Sequence, residues 1–256
     1  PLASPLATGA PRAPQRGAPA APGPAWAELA PYHPVPARME AARIVTFDDA
    51  DPAHVAFDMT RTRLVRTLKA NGWSAVGITS PGPGCGKTTL TLNLAFSLAH
   101  QADLRTVLVD LDLRRPMVAR ELDLPPGRSV ARFLRGEAGP AETFLRYGEN
   151  LAIAGDAEPV RHSGDLLMSA SAGQAAASVK AAFAPDVILY DLPPMLASAD
   201  AMAFLPQLDA VLLVAGAEKT RIEEVERCEH ELAQNANLLG VVLNMCRYTG
   251  EEYGYY

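Results

Sequence analysis

A chain of 256 residues with 48% apolar content is long enough to bury a full core, and its length fits one large domain plus a tail better than several domains. A formal net charge of −6 argues against a surface built to neutralise long stretches of nucleic-acid phosphate and favours small-molecule or protein partners. Three cysteines, Cys85, Cys228 and Cys246, form no CxxC pair, which does not read as a disulfide framework and fits a reducing compartment.

No apolar run is long enough to cross a bilayer, and the N-terminus lacks the basic-then-apolar order of a signal peptide, so the cytosol is the expected location. Residue 1 is proline rather than methionine, as in a processed or excised piece. A membrane segment lost upstream would be invisible in this sequence.

Residues 1–40 are dominated by proline and alanine, a composition expected to remain a disordered, partly extended segment. The folded domain is expected over 41–247, with a flexible tail over 248–256. Asp51 as N-cap, Pro52 in the first turn and Val55, Met59, Val65 and Leu68 at helical spacing predict a helix that ends at Asn71-Gly72.

Beyond it, β-rich runs alternate with helical stretches: SAVGITS, TLTLNLAFSLAHQ, TVLVDLD, DVILYDL, AVLLVAGA and GVVLNMC. The alternation predicts an α/β P-loop fold, a doubly wound and mostly parallel sheet with helices on both faces. Val107-Leu108-Val109 and Val211-Leu212-Leu213-Val214 are apolar at consecutive positions, as central strands covered on both faces require.

Between the first of these strands and its helix lies SPGPGCGKTTL. Gly82, Pro83, Gly84, Cys85, Gly86, Lys87, Thr88 and Thr89 form the core of a phosphate-binding loop, with Pro81 where the usual spacing has its first glycine. The glycines let backbone N–H groups turn inward around phosphate oxygens at the positive end of the following helix. Lys87 is expected to reach the β- and γ-phosphates and the Thr88 hydroxyl to complete a magnesium shell. Cys85 is read as a small residue that fits the loop.

Two further motifs deliver carboxylates. TVLVDLDLRRP places Asp110 and Asp112 at the carboxyl end of a buried strand, and DVILYDLPP delivers Asp191 before Pro193-Pro194 turns the chain. Buried carboxylates need a compensating cation, and magnesium is the economical one.

Together the three motifs resemble the bacterial tyrosine kinases (BY-kinases) of the CpsD/CapB type, which work with polysaccharide chain-length regulators. The resemblance rests on DLDLRRP, on PGCGKTT at 83–89 and on D-L-P-P at 191–194. Related partition and cell-division ATPases carry an extra lysine where this loop has Gly82. The resemblance implies that Lys87 holds the phosphates of ATP and Thr88 the Mg2+ ion, which Asp112 and Asp191 bind directly or through water. It implies that Asp110 accepts the tyrosine proton and that Asn244 contacts adenine.

That family phosphorylates its own C-terminal tyrosine cluster, and here Tyr248, Tyr253, Tyr255 and Tyr256 crowd the tail. Family members form rings through an E-x-x-R-x-x-R helix. Arg63 and Arg66 match it and Thr60 stands at the glutamate position; Arg61, Arg63, Arg66 and Lys69 read equally as a solvated basic face. The implied partners are a transmembrane chain-length regulator that activates the enzyme and further copies of the chain. The implied place is the inner face of the membrane, reached through that partner or a missing upstream segment. The alternative is a nucleotide-switched scaffold or positioning ATPase of the partition type, with unmodified tyrosines.

Overall fold

The computed structural model describes residues 24–47 and 51–246. Its eight strands are β1 (Ala30–Pro31), β2 (Ala75–Thr79), β3 (Thr106–Asp110), β4 (Leu145–Tyr147), β5 (Leu151–Ala154), β6 (Val187–Asp191), β7 (Ala210–Gly216) and β8 (Leu238–Asn244). They form one sheet in the order β1-β4-β5-β3-β6-β2-β7-β8. All neighbours are parallel except β4 and β5.

The helices are α1 (Pro24–Glu28), α2 (Pro36–Ala41), α3 (His54–Asn71), α4 (Lys87–Ala99), α5 (Val118–Leu122), α6 (Val130–Leu134), α7 (Pro140–Thr143), α8 (Ser163–Met168), α9 (Ala170–Phe183), α10 (Asp200–Phe204) and α11 (Ile222–Asn235). The expected P-loop architecture is present. Strands β2, β3, β6 and β7 are buried at every position. Successive side chains of β3 divide between two cores, Val107 and Val109 in one and Leu108 in the other, as alternation across a doubly covered sheet dictates. Each such side chain contributes about 1.5–3 kcal/mol of burial.

Three expectations need correction. Residues 24–40 are ordered, not disordered: Trp26, Leu29, Tyr32 and Met39 are buried. The Trp26 indole donates to the Phe183 carbonyl at 2.8 Å, and the Tyr32 hydroxyl donates to the Leu122 carbonyl at 2.7 Å. A proline- and alanine-rich composition conceals four large apolar side chains, and these suffice to anchor the segment against a preformed body. Residues 1–23 lie outside the described residues. The folded unit therefore begins before residue 41.

The helix α3 starts at His54 rather than after Asp51, whose carboxylate accepts the Ala53 N–H at 2.8 Å. It ends as expected at Gly72, which is left-handed at φ 69° and so favours glycine. Its buried stripe is Leu64 and Leu68, while Val55 and Met59 are 41% and 42% exposed. Arg61 is not on a solvated face, because it pairs with Asp58 at 2.9 Å and donates to the Ser97 carbonyl at 2.8 Å.

The sheet brings the carboxyl ends of β2, β3, β6, β7 and β8 to one rim. Asp110 of β3 stands opposite Asp191 of β6 in the parallel register. This adjacency gathers motifs that are far apart in sequence.

Candidate nucleotide site

The phosphate loop runs from the end of β2 to α4, which begins at Lys87. Gly84 and Gly86 adopt φ values of 71° and 80°, a region that costs other residues strain. Among the described residues, the N–H groups of Gly84, Cys85 and Gly86 donate to no protein acceptor. The carbonyls on the outer side are engaged. Gly82 accepts from the Ser80 hydroxyl at 2.8 Å, Gly84 from Lys219 Nζ at 3.0 Å and Cys85 from Asn244 Nδ2 at 3.0 Å. Free donors facing a helix N-terminus form an anion cradle.

Lys87 Nζ lies 2.9 Å from Asp112 Oδ2 and 3.4 Å from Asp191 Oδ1. The Thr88 hydroxyl donates to Asp191 Oδ2 at 2.6 Å. Burial alone would lower the Lys87 pKa, but Asp191 and Asp112 outweigh it and hold the ammonium above its ordinary value. Asp191 is raised by burial, against the opposing pull of Lys87 and the Thr88 hydroxyl. Asp110 is raised by burial and by Asp191, with backbone donors at Val118 and Met117 acting the other way.

Asp112 and Asp191 against one ammonium, with the buried Asp110 behind them, leave negative charge that a bound cation would offset. Among the described residues, no cluster of side chains is arranged to hold a metal unaided. Thr88, Asp112 and Asp191 supply hard oxygen donors of the kind that could complete a magnesium shell.

A cleft of about 470 Å³ opens on this rim, lined by Pro83, Gly84, Gly86, Lys87, Thr88, Thr89, Asp112, Arg114, Arg115, Met117, Glu121, Pro193, Pro194, Ala197 and Ser198. Asp112 lines it and Asp110 does not. Asp110 is fully buried: one oxygen accepts the N–H of Asp112 at 3.0 Å, and the other accepts those of Met117 and Val118, each at 2.9 Å. In this geometry it fastens the loop that follows β3, one layer behind the carboxylate that meets the cleft.

Residues 76–253 match the CbiA family, the CobQ/CobB/MinD/ParA nucleotide binding domain. Over 187 residues the sequence is 31% identical to tyrosine-protein kinase YwqD of Bacillus subtilis (strain 168), covering 71% of this chain and 77% of that protein. The chain belongs to the bacterial tyrosine kinase family. The solved kinase domain of Escherichia coli tyrosine kinase ETK has the same fold, with a TM-score of 0.72 and 26% identity, covering 83% of this chain and 84% of that one. The succinoglycan biosynthesis transport protein ExoP of Rhizobium meliloti (strain 1021) is 33% identical over 174 residues, which is 66% of this chain and 22% of that longer protein.

In this bacterial tyrosine kinase chain, sequence reasoning missed several cleft residues. Arg114 follows the acidic motif directly and forms a two-pronged pair with Asp200, Nε and Nη2 each at 2.9 Å. Although Asp200 is buried, Arg114 and the Ser163 hydroxyl hold its carboxyl below the ordinary value. The pair fixes the cleft wall to α10, and only the adjacent R-R in DLDLRRP hinted at it. Lys219, 135 positions from Gly84, carries no sequence signal at all. Asn244, expected at adenine, donates through Nδ2 to the Cys85 carbonyl of the loop at 3.0 Å.

Proposed function

We propose that the chain transfers the γ-phosphoryl group of ATP to tyrosines of its own C-terminal segment, and that this autophosphorylation regulates synthesis and export of a capsular or exopolysaccharide. The observation that carries the reading is the meeting of Lys87 with Asp112 and Asp191 at a loop whose N–H groups are free. Phosphoryl transfer passes through a loose transition state, so positioning and charge neutralisation matter more than base strength. The loop amides and Lys87 would orient the phosphates. Magnesium, when bound beside Thr88, Asp112 and Asp191, would neutralise charge on the phosphate oxygens.

The tyrosine proton needs an acceptor from the two aspartates that close β3. Asp112 is the one that lines the cleft, which favours it over the expected Asp110. Asp110 then acts by holding the loop from 111 to 118 in place. Tyr248, Tyr253, Tyr255 and Tyr256 lie outside the described residues; their clustering in the sequence supports the assignment of the acceptors.

A transmembrane chain-length regulator is the proposed activator and would hold the chain at the inner face of the membrane. The match to one part of the longer ExoP supports that partner. Among the described residues, no helix is long and apolar enough to cross a membrane. Self-association through α3 is proposed on its exposed Val55 and Met59 beside Asp58 and Arg63. Incubation with ATP and magnesium, with and without the activator's cytoplasmic tail, followed by phosphate mapping, tests the function. Failure to find phosphotyrosine in either condition refutes it.

A further inference from the structure

A loop rich in glycine can turn its peptide units either way at small cost, so a cradle built from one needs restraints from outside. Gly84 and Gly86 are such units, with positive φ. Their carbonyl neighbours are held by side chains from the rim formed by β7 and β8. Lys219 Nζ donates to the Gly84 carbonyl at 3.0 Å, and Asn244 Nδ2 donates to the Cys85 carbonyl at 3.0 Å. With these carbonyls held outward, the N–H groups of Cys85 and Gly86, which share the same peptide planes, face the other way.

The two glycines also make room for the restraints. A Cβ at Gly84 would overlap the Lys219 ammonium, and one at Gly86 would overlap the Asn244 amide. The rim itself is tied down. Gly216 N–H donates to Thr220 Oγ1 at 2.9 Å, Thr220 N–H to the Gly216 carbonyl at 2.8 Å, and Ala217 N–H to the Asn244 carbonyl at 2.8 Å. Glu218 sits at φ 57° in the turn, a left-handed conformation that aims the next residue, Lys219, at the loop.

We propose that Lys219 and Asn244 are positioning residues for the nucleotide phosphates, holding the loop's N–H groups inward by binding its outward carbonyls. The inference rests on the nucleotide-binding reading and deepens it. Lys219 also adds an ammonium beside the cradle from outside the loop, where Gly82 offers none. Both residues act through the backbone rather than on the base.

Calorimetric titration of the chain with Mg·ADP and with magnesium pyrophosphate, which has no base, separates these roles. Lys219→Met and Asn244→Ala are expected to weaken both ligands by the same factor, about tenfold each. Lys219→Arg keeps the donor and should bind within about threefold of wild type. The melting temperature of the ligand-free variants should stay within about 2 °C of wild type.

Wild-type affinity for both ligands in Lys219→Met overturns the inference. So does a loss in Asn244→Ala confined to Mg·ADP, which would make Asn244 a base contact, or a fall in ligand-free stability that tracks the lost affinity. Absence of Mg·ADP binding by the wild-type chain would instead sink the nucleotide reading on which the inference stands.

Discussion

The Lys87 ammonium lies between Asp112 and Asp191, 2.9 Å from one and 3.4 Å from the other, so a single cation joins the loop after β3 to the end of β6. Replacing it with methionine should leave a folded chain with paired buried carboxylates lacking their counter-charge. Lys87→Met is expected to lose at least about a hundredfold in phosphoryl transfer, as loss of a charge-stabilising donor does. Chemical denaturation should show a cost of several kcal/mol, on the order of 3–5 for a broken buried pair. Retained turnover in a steady-state assay would contradict the role.

The two aspartates at the end of β3 and just beyond it should fail differently. Asp112→Asn removes the carboxylate at the cleft and its 2.9 Å pair with Lys87, whose ammonium keeps Asp191 at 3.4 Å, so it should abolish transfer at a smaller stability cost than Lys87→Met. Asp110→Asn loses an acceptor oxygen from a set of three backbone bonds and places an N–H₂ group against backbone donors. It should cost about 1–3 kcal/mol of stability as well as activity. Denaturation curves of both variants beside their rates check the distinction, and a stable but inactive Asp110→Asn would restore Asp110 as the direct acceptor.

Stability should depend on pH in a definite direction. Asp110 and Asp191 have folded pKa values raised by burial, Asp110 to about 8, from an ordinary value of 3.8. A raised folded value means that the native state binds more protons, so their contribution is present below the ordinary value and is lost as pH rises towards the raised one. Asp200 and Asp209 are lowered instead, and their contribution is already complete above the ordinary value. The ligand-free chain should therefore melt lower at pH 8 than at pH 5.5. Mg·ADP should raise the melting temperature more at pH 8, where uncompensated carboxylate charge is greatest. Thermal scans across that window test both signs.

Arg114 and Asp200 fasten the cleft wall to α10 through two bonds of 2.9 Å. Arg114 is largely exposed, so its pairing contributes only about 1 kcal/mol to stability. Its greater effect should be on geometry: Arg114→Ala is expected to lower kcat about tenfold or more through misplaced groups, with a smaller change in KM for ATP. An unchanged kcat would show that the wall needs no such tie.

Much of this was legible in the sequence because it lies in contiguous, strongly patterned segments. The runs around Val107-Leu108-Val109 and Val211-Leu212-Leu213-Val214 became central strands, as consecutive apolar positions demand. The spacing of Gly82, Gly84, Gly86, Lys87 and Thr88 identified the loop, and Asp112 and Asp191 met Lys87 as expected.

The misses share a cause in the dependence of local structure on distant partners. Trp26 and Tyr32 order a proline-rich stretch because Phe183 and Leu122 wait for them. Strand β5, Leu151–Ala154, is four residues with two alanines, and alanine is a poor strand signal until the neighbouring strand β3 is known. Lys219 reaches the phosphate loop only through the side-by-side placement of β7 and β2, which no local pattern contains.

The central claim is that the gathered charges around Lys87 deliver phosphate to the chain's own tyrosines. Mass-spectrometric mapping after incubation with ATP, magnesium and the activator's tail tests it most directly, with a variant carrying phenylalanine at 248, 253, 255 and 256 as the control. The account predicts phosphotyrosine at that cluster in the wild-type chain, none there in the control, and loss of polysaccharide regulation with the control. ATP turnover without phosphotyrosine, together with full cellular function of the control, would contradict it and leave a nucleotide-switched scaffold.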